Sequence, residues 1–139
     1  MKTITTHGEL LATYITFCNY KSIIEVGVQH GHTTRELCKA AKITGGYVYG
    51  YDYFEPIGIY DDNLVSPRNK VKDTLNWAGY GEDVCKLIKV NTQTDEFVKE
   101  LKKHFDPVDC EHNEWDKTID FAFIDACHSY KGVKNDFLK

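Results

Sequence analysis

No stretch of the 139 residues is apolar for long enough to cross a bilayer, which takes about 20 consecutive apolar residues in a helix. The N-terminal "MKTITTHGEL" also lacks the apolar core of a secretory signal. The expected compartment is therefore the cytoplasm, with no membrane partner. Five cysteines are present but none forms a C-x-x-C pair, so neither a structural zinc site nor a thioredoxin-like redox motif is expected. Cys18, Cys38, Cys85 and Cys110 read as core or near-surface thiols of a reducing compartment. An excess of basic residues is missing too. Lys and Arg number 17 against 21 Asp and Glu, a net charge of −4, and phosphate contacts normally require a basic face. A nucleic-acid partner is not expected. Internal repeats and low-complexity segments are absent.

What is there fits one domain, 1–139, with a real core: 42% of residues are hydrophobic and 13% aromatic. "THGELLATYITFCNY" places Leu10, Leu11, Tyr14, Ile15 and Cys18 at helical spacing, with Thr6 as N-cap. "SIIEVGV" is a short, nearly continuous apolar run rich in β-branched residues, the pattern of a buried strand. "GHTTRELCKAAK" reads as a helix stopping at Gly45-Gly46, and "YVYGYDYF" as a second strand. "EPIGIYDDNLVSP" holds two of only three prolines and reads as a loop without a recognisable code. "NKVKDTLNWAGYG" puts Val71, Leu75 and Ala78 on one helical face and ends in glycine caps. "VCKLIKV" is a third strand. "TDEFVKELKKHF" is a helix capped by Thr94, acidic in its first turn and basic in its later ones, as the macrodipole favours. "IDFAFIDA" is a fourth strand, and "YKGVKNDFLK" begins a further helix. Strands alternating with helices predict an α/β domain, a doubly wound parallel sheet of Rossmann-like type. In such sheets ligands bind beyond the carboxyl ends of the strands, at the point where strand order reverses.

The residues just after the strands are unusually polar. After the first comes Glu25-x-Gly27-x-x-x-Gly31, where Gly27 permits close approach to the main chain and Gly31 opens a helix whose free N–H groups favour an anion. Gln29 occupies the position of the second glycine of the dinucleotide fingerprint G-x-G-x-x-G. After the second strand stands Asp52, about twenty residues beyond Gly31, where ribose-binding carboxylates belong. After the third, Asn91, Thr92 and Gln93 suit either an adenine edge or a helix cap, and Thr92 and Gln93 are the candidates for the base. After the fourth come Asp125, Cys127, His128 and Tyr130. Asp125 and Asp52 are a metal pair only if they converge. His128 has the ordinary pKa range of a general base, and its bland alternative is a helix-cap or surface histidine.

Taken together, "IIEVGVQHGHTTREL", "GYVYGYDYFE", "LIKVNTQTDEF" and "IDFAFIDACHSYKGVKNDF" resemble class I S-adenosylmethionine-dependent methyltransferases, over about residues 8–139. The nearest likeness is to the small-molecule group whose fourth strand ends Asp-x-Asp-His-Ser-Tyr-x-Gly-Val. The resemblance implies that Glu25, Gly27 and Gly31 shape the pocket for the methionine part of S-adenosylmethionine. It implies that Asp52 holds the ribose, Tyr53 lies beside the adenine, and Thr92 and Gln93 lie near its edge. It implies roles in transfer for Asp125 and His128, with an oxygen or nitrogen of a small molecule as acceptor. Asp125 matches a divalent-cation ligand of metal-dependent O-methyltransferases. Cys127, however, stands where that group often has a second aspartate, and thiolate suits magnesium poorly, so a divalent metal is not favoured.

The family's usual sheet has seven strands and this chain supplies four, so the expected fold is truncated after the fourth. That leaves strand four as an apolar edge and predicts self-association through it. Two alternatives remain: a cofactor-binding module that does not transfer methyl groups, and a nicotinamide-dependent oxidoreductase, disfavoured by the missing second glycine.

Overall fold

A computed structural model describes residues 6–55, 66–105 and 118–125. Its elements are α1 (His7–Cys18), β1 (Ser22–Val26), α2 (His32–Thr44), β2 (Tyr47–Asp52), α3 (Arg68–Trp77), β3 (Cys85–Lys89), α4 (Asp95–Phe105) and β4 (Phe121–Ile124). The four strands form one sheet in the order β3-β2-β1-β4, and every pairing is parallel. The expected α/β sheet is therefore present, with its order reversing between β1 and β4. The further helix expected after residue 130 lies outside the described residues, as do Cys110, Cys127, His128 and Tyr130.

Two apolar layers flank the sheet. Ile23, Val48, Cys85 and Leu87 pack beneath α1, α2 and α3 through Ile15, Leu37, Ala41, Val71 and Leu75. On the opposite face Ile24, Val26, Tyr51, Ile88 and Val90 pack against Phe97 of α4. The first strand is central and buried on both faces, which is why "IIEV" is apolar without alternation. Cys38 and Cys85 are buried free thiols and Cys18 is half-buried.

The helix ends follow the sequence signals. Thr6 Oγ1 accepts a hydrogen bond from the Glu9 amide, and Gly45 closes α2 with φ 76°. At the end of α3 the Gly79 amide donates to Asn76 and the Tyr80 amide to Leu75, the paired bonds of a Schellman motif. Ala78, expected on the buried face, is instead exposed.

The apolar face of α1 also differs from expectation. Gly8, Ala12 and Ile15 are buried, whereas Leu10 and Tyr14 are about half exposed and Phe17 is 88% exposed. Small residues face α2 because the helices approach closely: a Cβ on Gly8 would lie 3.2 Å from Glu36 Cγ. Periodicity alone favoured the larger side chains, which lie on a neighbouring stripe. Tyr14 and Tyr20 gather round Phe121 of β4, with ring centroids 6.3 Å from it in each case.

At its start β4 is tied to β1 by Asp120, whose Oδ2 accepts the Lys21 and Ser22 amides at 2.8 and 3.0 Å. Further along, Ala122 and Ile124 are exposed. Among the described residues nothing pairs with the outer edge of this strand.

Gly46 is the tightest steric point in the sheet's lower end, since a Cβ there would come within 2.3 Å of the Lys21 carbonyl oxygen. The obstacle is backbone and cannot swing aside. Gly46→Ala is expected to lower unfolding free energy by about 2 kcal/mol, the scale of overpacking a close contact. Gly45→Ala meets no atom within 4 Å and reports only the cost of its positive φ. Urea denaturation of both variants separates the two effects.

Candidate functional site

Four strands end at the same rim of the sheet, and the register sets their order. The Gly27 amide donates to the Tyr51 carbonyl, the Val90 amide to Asp52, and the Asp125 amide to Val26. The rim therefore runs from Thr92 and Gln93 through Asp52 and Tyr53 to Gly27, and then to Asp125. Of the described residues predicted from the sequence for ligand contact, all but Glu25, which is buried within β1, belong to this rim or to the turn above it.

The β1–α2 turn is built from unusual backbone. Gly27 has φ 95°, Gln29 φ 56° and Gly31 φ 86°. Positive φ costs Gln29 what it would not cost glycine. The compensation comes from Asp52, whose Oδ2 accepts the Gln29 amide at 2.8 Å. Its Oδ1 accepts the Phe54 amide at 2.9 Å. The residue expected to hold ribose thus also fastens the turn, which sequence could not reveal. Each carboxylate oxygen has a second lone pair, so the capacity to accept further hydrogen bonds remains. Gly31 is the N-cap of α2 and supplies no side-chain cap, leaving the first-turn amides directed at the rim. A Cβ at Gly31 would sit 2.8 Å from Val71 Cγ1, so α3 closes on this turn from behind.

Glu25 is 1% exposed. Its Oε2 accepts a hydrogen bond from the Thr34 hydroxyl, and Thr34 is itself fully buried on the first turn of α2. Burial, the largest influence, raises the Glu25 carboxyl from 4.5 to about 8. The Thr34 hydrogen bond opposes that rise, while the charges of Asp52 and Asp125 add to it. At neutral pH the group is largely protonated. The sequence reading assigned Glu25 to the methionine pocket but missed Thr34. Its signal was an acid inside an apolar strand, which demands a buried partner.

The remaining predicted residues occupy the flanks. Tyr53 is half-buried, and Lys89 Nζ lies over its ring at 5.4 Å from the centroid; the same lysine pairs with Glu55. Thr92 is buried. The Gln93 amide donates to Asn91 Oδ1 at 3.0 Å, and the Thr94 hydroxyl donates to the Asn91 carbonyl. Asp125 is half-buried. His128, its proposed catalytic companion, is outside the described residues.

Sequence reasoning also passed over a set of histidines at the turn. His30 Nδ1 is 2.6 Å from the buried Ser66 hydroxyl, and the His30 and His32 rings are 6.1 Å apart. His7 Nε2 is 3.1 Å from Thr33 Oγ1. "QHGHTT" carried this signal, and its density of histidine beside the glycines was legible. Among the described residues no group of three or more His, Cys, Asp or Glu side chains could hold a metal ion. A cavity of about 340 Å³ lies along β3, lined by Arg68, Lys86, Lys89 and Lys103 among others. It includes none of the predicted site residues, so the rim, not this cavity, is the candidate site.

The pattern of a family described as a methyltransferase domain matches residues 24–139. The chain belongs to that family. Its parallel sheet, reversing beside β1, is that of a class I methyltransferase domain, lacking further strands among the described residues. No curated protein matches the chain. Among the described residues no helix is long and apolar enough to cross a membrane.

The Glu25 environment has a measurable signature in this methyltransferase domain. A carboxyl raised in the folded state binds a proton that the unfolded chain has already lost. Its contribution is complete below the ordinary 4.5 and is lost as pH rises through about 8. Melting temperature is therefore expected to fall across that window in the parent protein, and more shallowly in Glu25→Gln. Scanning calorimetry at stepped pH checks the difference between the two curves.

Proposed function

We propose that the chain binds S-adenosylmethionine along the rim and transfers its methyl group to an oxygen or nitrogen of a small-molecule acceptor. The observation that carries this reading is the Gly27–Gly31 turn, fastened by Asp52 and opening on the uncapped N-terminus of α2. Such a turn accommodates a ligand that needs close backbone approach at one end and a carboxylate acceptor at the other. The bound sulfonium supplies an electrophilic methyl group and a neutral thioether as leaving group.

The chain's residues do the rest. Gly27 and Gly31 leave space for the methionine portion, and the α2 amides receive its carboxylate. Asp52 accepts hydrogen bonds from the ribose hydroxyls through its remaining lone pairs. Tyr53 lies beside the base, with Thr92 and Gln93 near its edge. Asp125 orients the acceptor, and His128 takes the acceptor's proton. Positioning of this kind accounts for much of the rate in a bimolecular transfer.

Calorimetric titration tests binding. S-adenosylmethionine and S-adenosylhomocysteine are expected to bind and NAD is not; Asp52→Ala is expected to weaken binding tenfold or more, about 1.4 kcal/mol. Binding of NAD alone would overturn the reading. Release of S-adenosylhomocysteine with a panel of hydroxylated and amino acceptors tests transfer. His128→Ala is expected to lower turnover by about 10²-fold or more, and Asp125→Ala to lower it as well. Binding without turnover on any acceptor would favour the non-transferring module.

The outer edge of β4, unpaired among the described residues, with Ala122 and Ile124 exposed, supports a proposal about partners: copies of the chain associate through it. Ile124→Lys is expected to shift sedimentation towards the monomer. An unchanged sedimentation coefficient would count against this edge.

A further inference from the structure

The cavity along β3 takes no part in methyl transfer, and its walls come from three elements: Arg68 of α3, Lys86 to Lys89 of β3, and Glu100 and Lys103 of α4. Among the described residues β3 is the outermost strand on this side of the sheet. The two helices pack on opposite faces, so the cavity straddles the strand's edge. The chain as a whole is acidic, with a net charge of −4. Here, among the described residues, four cations converge with one carboxylate. Two of the cations are already matched: Lys103 Nζ lies 2.7 Å from Glu100 Oε1, and Lys89 pairs with Glu55. Among the described residues Arg68 and Lys86 stand in no ion pair. The charge of Lys86 reaches Glu82, but Lys72 holds that carboxylate at 2.9 Å. Lysines on an edge strand ordinarily deter strand pairing. That role accounts for Lys86 and Lys89. It does not account for Arg68 and Lys103, which separate helices bring to the same cavity.

We propose that this cavity is a second binding site, outside the rim, for a phosphate monoester of a small organic molecule. The two unmatched cations balance the charge of one phosphate dianion. A guanidinium takes two phosphate oxygens in its planar fork, the part given to Arg68, while Lys86 supplies a compact charge. Arg68 is also the first residue of α3, whose N-cap Pro67 makes no side-chain cap, so the positive end of the helix adds to the field. The volume of about 340 Å³ exceeds what phosphate alone fills and lies at the small end of ligand pockets. Leu87 and Ile88, both buried, give the organic part an apolar floor. Lys89 joins this site to the rim, since it lines the cavity and also stands over the Tyr53 ring. An anion in the cavity competes with Glu55 for Lys89 and is therefore felt at Tyr53.

The test titrates the full chain with phenyl phosphate at fixed ionic strength and follows backbone amide and tyrosine ring signals by NMR. Phenol and a single-stranded oligonucleotide serve as the neutral and phosphodiester comparisons. Phenyl phosphate is expected to shift the amides of Lys86–Lys89 and the Tyr53 ring to saturation, and phenol to leave them in place. Arg68→Gln and Lys86→Gln, at exposed positions where the fold is not at stake, are expected to weaken binding about tenfold each. Lys72→Gln removes the same charge from α3 outside the cavity and is expected to bind like the parent. Equal weakening in Lys72→Gln would overturn the proposal, because attraction to net charge then explains the binding. Absence of saturable shifts at Lys86–Lys89, or binding of the oligonucleotide in preference to phenyl phosphate, would overturn it too. S-adenosylmethionine and phenyl phosphate are expected to bind together, and mutual exclusion would overturn the placing of this site outside the rim. If S-adenosylmethionine does not bind at all, the reading of the rim fails, and the phosphate titration still decides the cavity.

Discussion

The Asp52 carboxylate takes the Gln29 amide on one oxygen and the Phe54 amide on the other, and the rim of the sheet is organised round those two bonds. The first keeps the β1–α2 turn in a conformation that a glutamine side chain would otherwise resist. The second directs the chain as it leaves β2. Neighbouring strands add their own restraints, since the Gly27 and Val90 amides donate to carbonyls of Tyr51 and Asp52. A binding surface assembled from short turns is usually mobile. Here the turns are cross-linked through one buried acid, so the backbone presented to a ligand is set before the ligand arrives, which reduces the ordering cost of binding.

The same rim gathers three acids, Glu25, Asp52 and Asp125. The charges of Asp52 and Asp125 add to the effect of burial on Glu25, which largely holds its proton at neutral pH. Burial and the like charges act on it in the same direction, each disfavouring the ionised form. Asp52 is relieved by main-chain donors, whereas Glu25 has only a hydroxyl.

Much of the architecture was legible in the sequence because it rests on local signals. The continuous run Ile23–Val26, the alternation of strands and helices, and the acidic start and basic end of α4 each follow from local rules. So did the concentration of polar residues after the strands. The buried face of α1 was not legible. It is chosen by close approach to α2 through Gly8 and Ala12, a tertiary demand that hydrophobic spacing does not encode. Thr34 and the fastening of the β1–α2 turn by Asp52 were missed for a related reason. Their hydrogen bonds join residues that only folding brings together, 9 and 23 positions apart. Asp125 could be placed on the rim by register, but the stretch from Ala126 onward, which includes Cys127 and His128, is outside the described residues.

Asp120 joins its strand to main-chain amides 98 and 99 residues earlier in the chain. Closing so long a loop is entropically expensive, whereas β1 and β2 meet across a single helix. In the order of synthesis, the turn that carries Glu25, Gly27 and Gly31 and the strand that carries Asp52 are complete long before β4 emerges. A ribosome therefore delivers the part of the rim bearing Gly27, Gly31 and Asp52 first and the part bearing Asp125 last. The clamp at Asp120 is the step that turns a three-stranded sheet into a four-stranded one, with β1 flanked on both sides.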